Sequence, residues 1–199
     1  MNDKNPDLSN TPMAFDIIKA IWGIYFRLLG SRYIGLERIP KAGAAIIAAN
    51  HITAIDPFGV AQPTKRRVHY MSKAESFLHQ PLRWYMLAGN AFSVERGKMD
   101  LTAIKTALRI LKNNQLLVIF PQGTRGGQEV KGGTSLIALK AKVPVIPVGI
   151  HLEPNWFGAK RFVFRYGTPI LPEGTQESHA KALEEALHAL EQPQLTHGA

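Results

Sequence analysis

Short apolar runs that do not alternate constrain this sequence most. Gly43 to Ala49 reads GAAIIAA and Leu116 to Phe120 reads LLVIF, punctuated by Gly43, Asn50, Gln115 and Pro121. A strand with one face in water alternates apolar and polar side chains, whereas a strand covered on both faces is apolar throughout. Val68 to Met71 and Ala91 to Val94 are further short strand candidates. Val143 to Ile150 (VPVIPVGI) is β-branched with two prolines, which predicts an extended segment near a sheet edge. Between these runs the period changes. Leu101, Ile104, Leu108 and Leu111 repeat at helical spacing with Lys105, Arg109 and Lys112 on another face, and Leu183, Leu187 and Leu190 mark a last helix, from about His179 to Glu191. Strands alternating with helices, and strands built to be covered on both sides, predict an α/β fold: a single domain with a central, mostly parallel sheet flanked by helices. A chain of 199 residues suits one domain with a real core.

The N-terminal stretch is of another kind. MNDKNPDLSNTP is polar and turn-rich and has no basic lead into an apolar core, so it does not resemble a secretory signal and a cytoplasmic protein is expected. From Phe15 to Gly30 the non-apolar residues are Asp16, Lys19, Gly23, Arg27 and Gly30, which form one narrow stripe on a helix. Phe15 to Leu29 as a helix spans roughly 22 Å, short of the roughly 30 Å hydrocarbon core of a bilayer. Two readings follow: an amphipathic helix lying on a membrane surface, or a core-packed helix with a thin solvent stripe. The first divides the chain into residues 1–30, a polar N-terminus with an interfacial helix, and residues 31–199, the α/β domain.

Composition narrows the chemistry. The chain has no Cys, which removes disulfides, thiolate nucleophiles and Cys-ligated zinc. Twenty-four Lys and Arg against 15 Asp and Glu give a net charge of +9, which favours an anionic partner: nucleic acid, an acidic membrane or a phosphorylated substrate.

Three segments fall at the ends of apolar strands, where chemistry is commonly placed. The first is Asn50-His51-Ile52-Thr53-Ala54-Ile55-Asp56-Pro57. Asp56, just before Pro57, is placed to N-cap a helix, and the turn can bring its carboxylate back to His51. A carboxylate on one imidazole nitrogen fixes the tautomer and leaves the other nitrogen free to accept a proton. The bland alternative is a capping Asp and a His that merely packs. No G-x-S-x-G and no Cys accompany the pair, so a nucleophile would come from the substrate, most simply a hydroxyl. The second segment is Phe120-Pro121-Gln122-Gly123-Thr124-Arg125-Gly126-Gly127, with Lys131 shortly after. Its glycines permit close backbone approach and Arg125 matches phosphate oxygens, although a plain loop reads the same way. It lacks the G-x-x-x-x-G-K-[ST] pattern of a nucleotide P-loop. The third, Gly89-Asn90-Ala91-Phe92-Ser93-Val94-Glu95-Arg96-Gly97, ends on Arg96, which alone reads equally as a solvated or ion-paired side chain.

NHITAID, FSVERG, FPQGTR and VPVIPVGI, in that order between Asn50 and Ile150, resemble the four blocks of the glycerolipid acyltransferase family, whose members include 1-acylglycerol-3-phosphate (lysophosphatidic acid) acyltransferases. The resemblance implies that His51 deprotonates the acceptor hydroxyl and Asp56 orients His51. It implies that Arg96 and Arg125 hold the acceptor phosphate, with Gln122, Gly123, Thr124 and Lys131 completing the head-group site, and that Val143 to Val148 line or support the acyl side. It implies an acyl thioester donor, on CoA or an acyl carrier protein, no cofactor and no metal. His69, His79, His151, His179, His188 and His197 are scattered and receive no role. One position departs from the pattern: the family's third block usually reads F-P-E-G-T-R, and here the acid is Gln122, which keeps the shape and loses the charge. The expected function is therefore acyl transfer to 1-acylglycerol-3-phosphate, giving phosphatidic acid at the cytoplasmic face of a membrane, by a peripheral protein. The alternatives are another lysolipid acceptor, or a non-catalytic membrane-binding relative. Nucleic acid is not expected as a partner, because basic and aromatic residues do not interleave as in stacking surfaces.

Overall fold

A computed structural model describes residues 12–78, 83, 86–94, 100–122 and 132–191 of the chain. Seven strands form one sheet among the described residues: β1 (Arg32–Ile34), β2 (Ala45–Ala49), β3 (Val68–Lys73), β4 (Ala91–Val94), β5 (Leu116–Ile119), β6 (Val145–Pro154) and β7 (Lys160–Tyr166). Their order is β1-β7-β6-β2-β5-β3-β4, and every neighbouring pair is parallel except β6 and β7. The fold is thus the expected single α/β domain with a mostly parallel central sheet. All five residues of β2 and all four of β5 are buried, as non-alternating runs require.

The helices divide between the two faces. α1 (Pro12–Leu28) and α2 (Asp56–Ala61) cover one, contributing Phe15, Phe26, Val60 and Ala61 to a core with Ile47, Val118, Val148 and Phe164. α3 (Leu101–Lys112), α4 (Gly133–Ala141) and α5 (Gln176–Glu191) cover the other, where Ala107, Ile110, Ile137, Leu183 and Leu187 meet Ile46, Leu117 and Val145.

Several expectations are corrected. β6 is an interior strand between β2 and β7, not an edge segment. Pro147 is tolerated because its backbone faces β7 rather than β2. Its carbonyl accepts from the Gly167 N–H (2.7 Å), one residue past the end of β7, so the missing N–H falls where that ladder has stopped. β7 is not among the predicted strands, although KRFVFRY holds three aromatic residues and Val163. α3 lies on Ala103, Thr106, Ala107, Ile110 and Leu111, with Leu101 exposed. Its small residues let the helix approach the sheet closely, so the buried face is rotated from the predicted stripe: it keeps Leu111, has Ile104 and Leu108 packed at its margin and leaves Leu101 out. α5 begins three residues earlier than expected, where the Ser178 N–H donates to Thr175 Oγ1 (3.1 Å) and the Thr175 N–H donates to Ser178 Oγ (3.0 Å).

α1 presents two apolar faces, one packed on the sheet and one exposed. Phe15, Ile18 and Phe26 are buried, with Trp22 stacked on Phe58 of α2 at 5.1 Å and 11°. On the opposite face Met13, Ile17, Ile21, Ile24 and Leu28 are exposed. The polar stripe runs between these two apolar faces: the Lys19 ammonium donates to the Thr64 carbonyl, and Gln62 Nε2 donates to the Lys19 carbonyl (3.0 Å). Burial lowers the Lys19 pKa, with Asp16 opposing the shift.

Candidate active site

The sheet order reverses at β2: the chain leaves it for β3 on one side and returns from β5 to β6 on the other. In parallel sheets ligands bind beyond the C-terminal strand ends at such a point. His51 stands there, two residues after β2.

Asn50 makes the exit from the sheet. Its side chain is buried and bonds both backbone groups of Ile150 on β6, donating through Nδ2 to the carbonyl (2.9 Å) and accepting at Oδ1 from the N–H (2.6 Å). An amide thereby replaces one step of backbone ladder, and the main chain is released to turn at His51. Asn50 is not among the residues that the sequence marks for chemistry. A polar residue closing a buried apolar strand must find partners, and that was the available signal.

His51 Nδ1 lies 2.9 Å from Asp56 Oδ2. Asp56 is fully buried, and its carboxylate also accepts from the N–H groups of Ile52 (2.6 Å) and Thr53 (2.7 Å) and from Thr53 Oγ1 (2.5 Å). Asp56 therefore does not N-cap α2, as its place before Pro57 suggested. It is the first helical residue, Ile55 occupies the cap, and the carboxylate points back into the preceding turn. With backbone and hydroxyl donors converging on it, the carboxylate serves as acceptor. The His51 proton is then placed on Nδ1, and Nε2 keeps its lone pair. The imidazole is 22% exposed and lies against Phe120, with ring centroids 4.6 Å apart. One side of the ring is thus apolar, and the segment that opens the third block is at hand.

Packing beneath the site is tight. A Cβ on Gly59 would come within 2.1 Å of Phe164 Cζ, so α2 reaches the sheet only because position 59 carries no side chain. Tyr166, fully buried, donates from its hydroxyl to the Val60 carbonyl (2.7 Å) and holds the same helix to β7. Asp56 is presented from an element that can hardly shift.

Gln122 is described, and its contact is unexpected: Nε2 donates to Glu191 Oε1 (3.2 Å) at the C-terminal end of α5. Where the family pattern has an acid, this chain has an amide joined to an acid from another element. Nothing local in the sequence signals Glu191. Val145, Ile146 and Val148 have no exposed surface, so within Val143 to Val148 they support the sheet rather than face a substrate. Arg96, Gly123, Thr124, Arg125 and Lys131 lie outside the described residues, as do His79 and His197. Among the described residues no cluster of three or more His, Asp or Glu could hold a metal ion.

A family model described as Acyltransferase matches residues 30–151, which include all four sequence blocks and the His51–Asp56 pair. A 1-acyl-sn-glycerol-3-phosphate acyltransferase of Streptococcus pneumoniae is 31% identical over 160 residues, 77% of this chain and 60% of that protein. One from Bacillus subtilis is 30% identical over 121 residues, 59% of this chain and 61% of the relative. The chain thus spans about 60% of the length of these relatives. The crystal structure of the 1-acyl-sn-glycerophosphate (LPA) acyltransferase PlsC from Thermotoga maritima shares the fold, with a TM-score of 0.64 over 90% of this chain and 80% of that one at 24% identity. With the model spanning more than half of its length, and the paired imidazole and carboxylate held at the end of β2 inside the matched region, the chain belongs to the acyltransferase family.

Proposed function

We propose that the chain transfers a fatty acyl group from a thioester to the free hydroxyl of 1-acylglycerol-3-phosphate, giving phosphatidic acid for phospholipid biosynthesis. The observation that carries this reading is His51, bound through Nδ1 to a buried carboxylate at the end of β2. His51 Nε2 takes the proton of the acceptor hydroxyl as its oxygen attacks the thioester carbonyl. The tetrahedral intermediate collapses, the C–S bond breaks, and the proton passes from the imidazolium to the departing thiolate, freeing CoA or the carrier thiol. Asp56 holds the ring and stabilises its charged form. No residue is acylated, so one transfer restores the site.

Arg96, Arg125 and Lys131 bind the acceptor phosphate, and Gln122, Gly123 and Thr124 shape the head-group loop. The family resemblance and the chemistry of charge-assisted hydrogen bonds support these roles. Acceptor and product are lipids. No described helix is long and apolar enough to cross a membrane. The exposed apolar face of α1 supports a peripheral site on a bilayer, the net charge of +9 supports an anionic one, and the site belongs in this reading to the cytoplasmic face. In this reading residues 1–30 are the interfacial element and residues 31–199 the catalytic domain.

The test is a donor-by-acceptor matrix with purified protein and lipid vesicles, following thiol release. Acyl-CoA and acyl carrier protein are crossed with lysophosphatidate and with lysolipids bearing phosphodiester head groups. Thiol release that requires lysophosphatidate supports the reading. Faster release with a phosphodiester lysolipid would reassign the acceptor, and no release with any pair would make the chain a non-catalytic relative.

A further inference from the structure

We infer that the β6–β7 hairpin tip is a second membrane contact, which inserts Trp156 and Phe157 among the head groups of an anionic bilayer and turns the catalytic end of the sheet toward it. This rests on the peripheral-membrane reading above and adds to it a surface that lies outside α1.

The tip is a built turn that displays two aromatic rings. Asn155 Oδ1 accepts from the N–H groups of Phe157 (3.0 Å) and Ala159 (2.9 Å), and the Gly158 N–H donates to the Asn155 carbonyl (3.0 Å). Within that frame Trp156 is 85% exposed and Phe157 68%. A turn with its own hydrogen bonds has no need of two large apolar side chains in water. An exposed indole, apolar with one N–H, beside an exposed phenyl ring suits the head-group region of a bilayer.

The position of the tip matches. β6 runs parallel to β2, the Asn50 side chain bonds Ile150, and the strand continues past that residue to Pro154. At roughly 3.3 Å per residue the tip stands about 16 Å beyond Ile150, at the same sheet end as His51. It is also joined to α1, because Asn155 Nδ2 donates to the Leu29 carbonyl (3.4 Å), one residue past the exposed Leu28. The aliphatic face of α1 and the aromatic tip are thereby neighbours. The charge fits an anionic surface: residues 27–34 and 154–162 contain Arg27, Arg32, Lys160 and Arg161 and no acid. Glu153 at the base of the hairpin is already bonded by Arg161 Nη2 (3.1 Å) and His151 Nε2 (2.9 Å).

The experiment uses the full chain with Trp156 as its own probe, in a W22F/W84F background, and phosphatidylglycerol–phosphatidylcholine vesicles with brominated acyl chains. The expected result is a blue shift of Trp156 emission and quenching by bromine. W156S/F157S should weaken vesicle binding tenfold or more while keeping wild-type melting. Bound protein with unshifted, unquenched Trp156, lost only on I21S/I24S/L28S substitution in α1, would overturn the tip and leave the membrane reading standing. No vesicle binding by the wild-type chain would overturn both. Loss of self-association by W156S/F157S in lipid-free buffer, with Trp156 unquenched on vesicles, would assign the tip to a second copy of this chain and overturn the proposal.

Discussion

At the scale of single residues, the site depends on donors and acceptors that leave little slack. His51→Ala removes the base and is expected to lower kcat about 10²- to 10⁴-fold with melting close to wild type, since His51 is partly exposed; initial rates and a thermal scan check both. Asp56→Asn should also be severe, because an amide oxygen facing the Thr53 and Ile52 N–H groups no longer dictates the imidazole tautomer. Gln122 and Glu191 form a second pair to test. Gln122→Glu sets a carboxylate against the Glu191 carboxylate in place of the donor now bonded to it. The single variant is expected to lose roughly 1 kcal/mol of stability near neutral pH, and the double variant Gln122→Glu/Glu191→Gln should recover most of it. Additive losses in that double-mutant cycle would refute the coupling. Acyl transfer by Gln122→Glu from an otherwise inactive wild type would mark the natural chain as a decayed enzyme. His69, fully buried, titrates at about 4 because burial disfavours its charged form. The unfolded chain then binds more protons between about pH 6.5 and pH 4, so stability is complete above pH 6.5 and falls by about 3 kcal/mol as pH drops to 4. Burial shifts His179 in the same direction. Denaturant midpoints across that range should decline in the wild type and flatten in His69→Gln.

At the scale of elements, α2 is short and owes its place to contacts at both ends and along its length. Gly59 lies against Phe164 and Phe26, Phe58 stacks on Trp22, and the Val60 carbonyl takes the Tyr166 hydroxyl. Gly59→Ala is expected to destabilise the fold by about 1–3 kcal/mol through overpacking. It should also lower kcat, because the shift is passed to Asp56 three residues away. A chemical melt and initial rates on the same preparation check this, and an unchanged rate in a destabilised variant would mean that the turn holds Asp56 without help from α2. β6 shows the converse. Pro144 and Pro147 in Val143 to Ile150 suggest an edge to any reading that counts missing donors, yet of these only Pro147 lies within β6 and it removes one donor on one side only. At Pro147 that side faces the end of β7.

For the whole molecule, the expected orientation follows from where apolar surface is left uncovered. Ile21→Ser, Ile24→Ser and Leu28→Ser together remove exposed area from α1 without touching Phe15, Ile18 or Phe26 in the core. The triple variant should fold normally, keep turnover on detergent-dispersed acceptor and lose vesicle binding at high salt, where the contribution of the +9 charge is screened. Co-sedimentation at two ionic strengths checks this. Binding equal to wild type at both would place the membrane contact elsewhere.

The sequence by itself determined whatever depends on neighbours along the chain. Non-alternating strands implied a sheet covered on both faces, and His51 and Asp56, five residues apart, needed only a turn to meet. The tertiary structure alone decided the rest, because the partners are distant in sequence and carry no mutual signature. Asn50 with Ile150 is such a pair, as are Gln122 with Glu191 and Asn155 with Leu29. It also decided between surfaces of equal apolarity. Periodicity located the polar stripe of α1, but which apolar side is buried depends on where Phe58 and Phe164 stand, and those positions are set by the sheet.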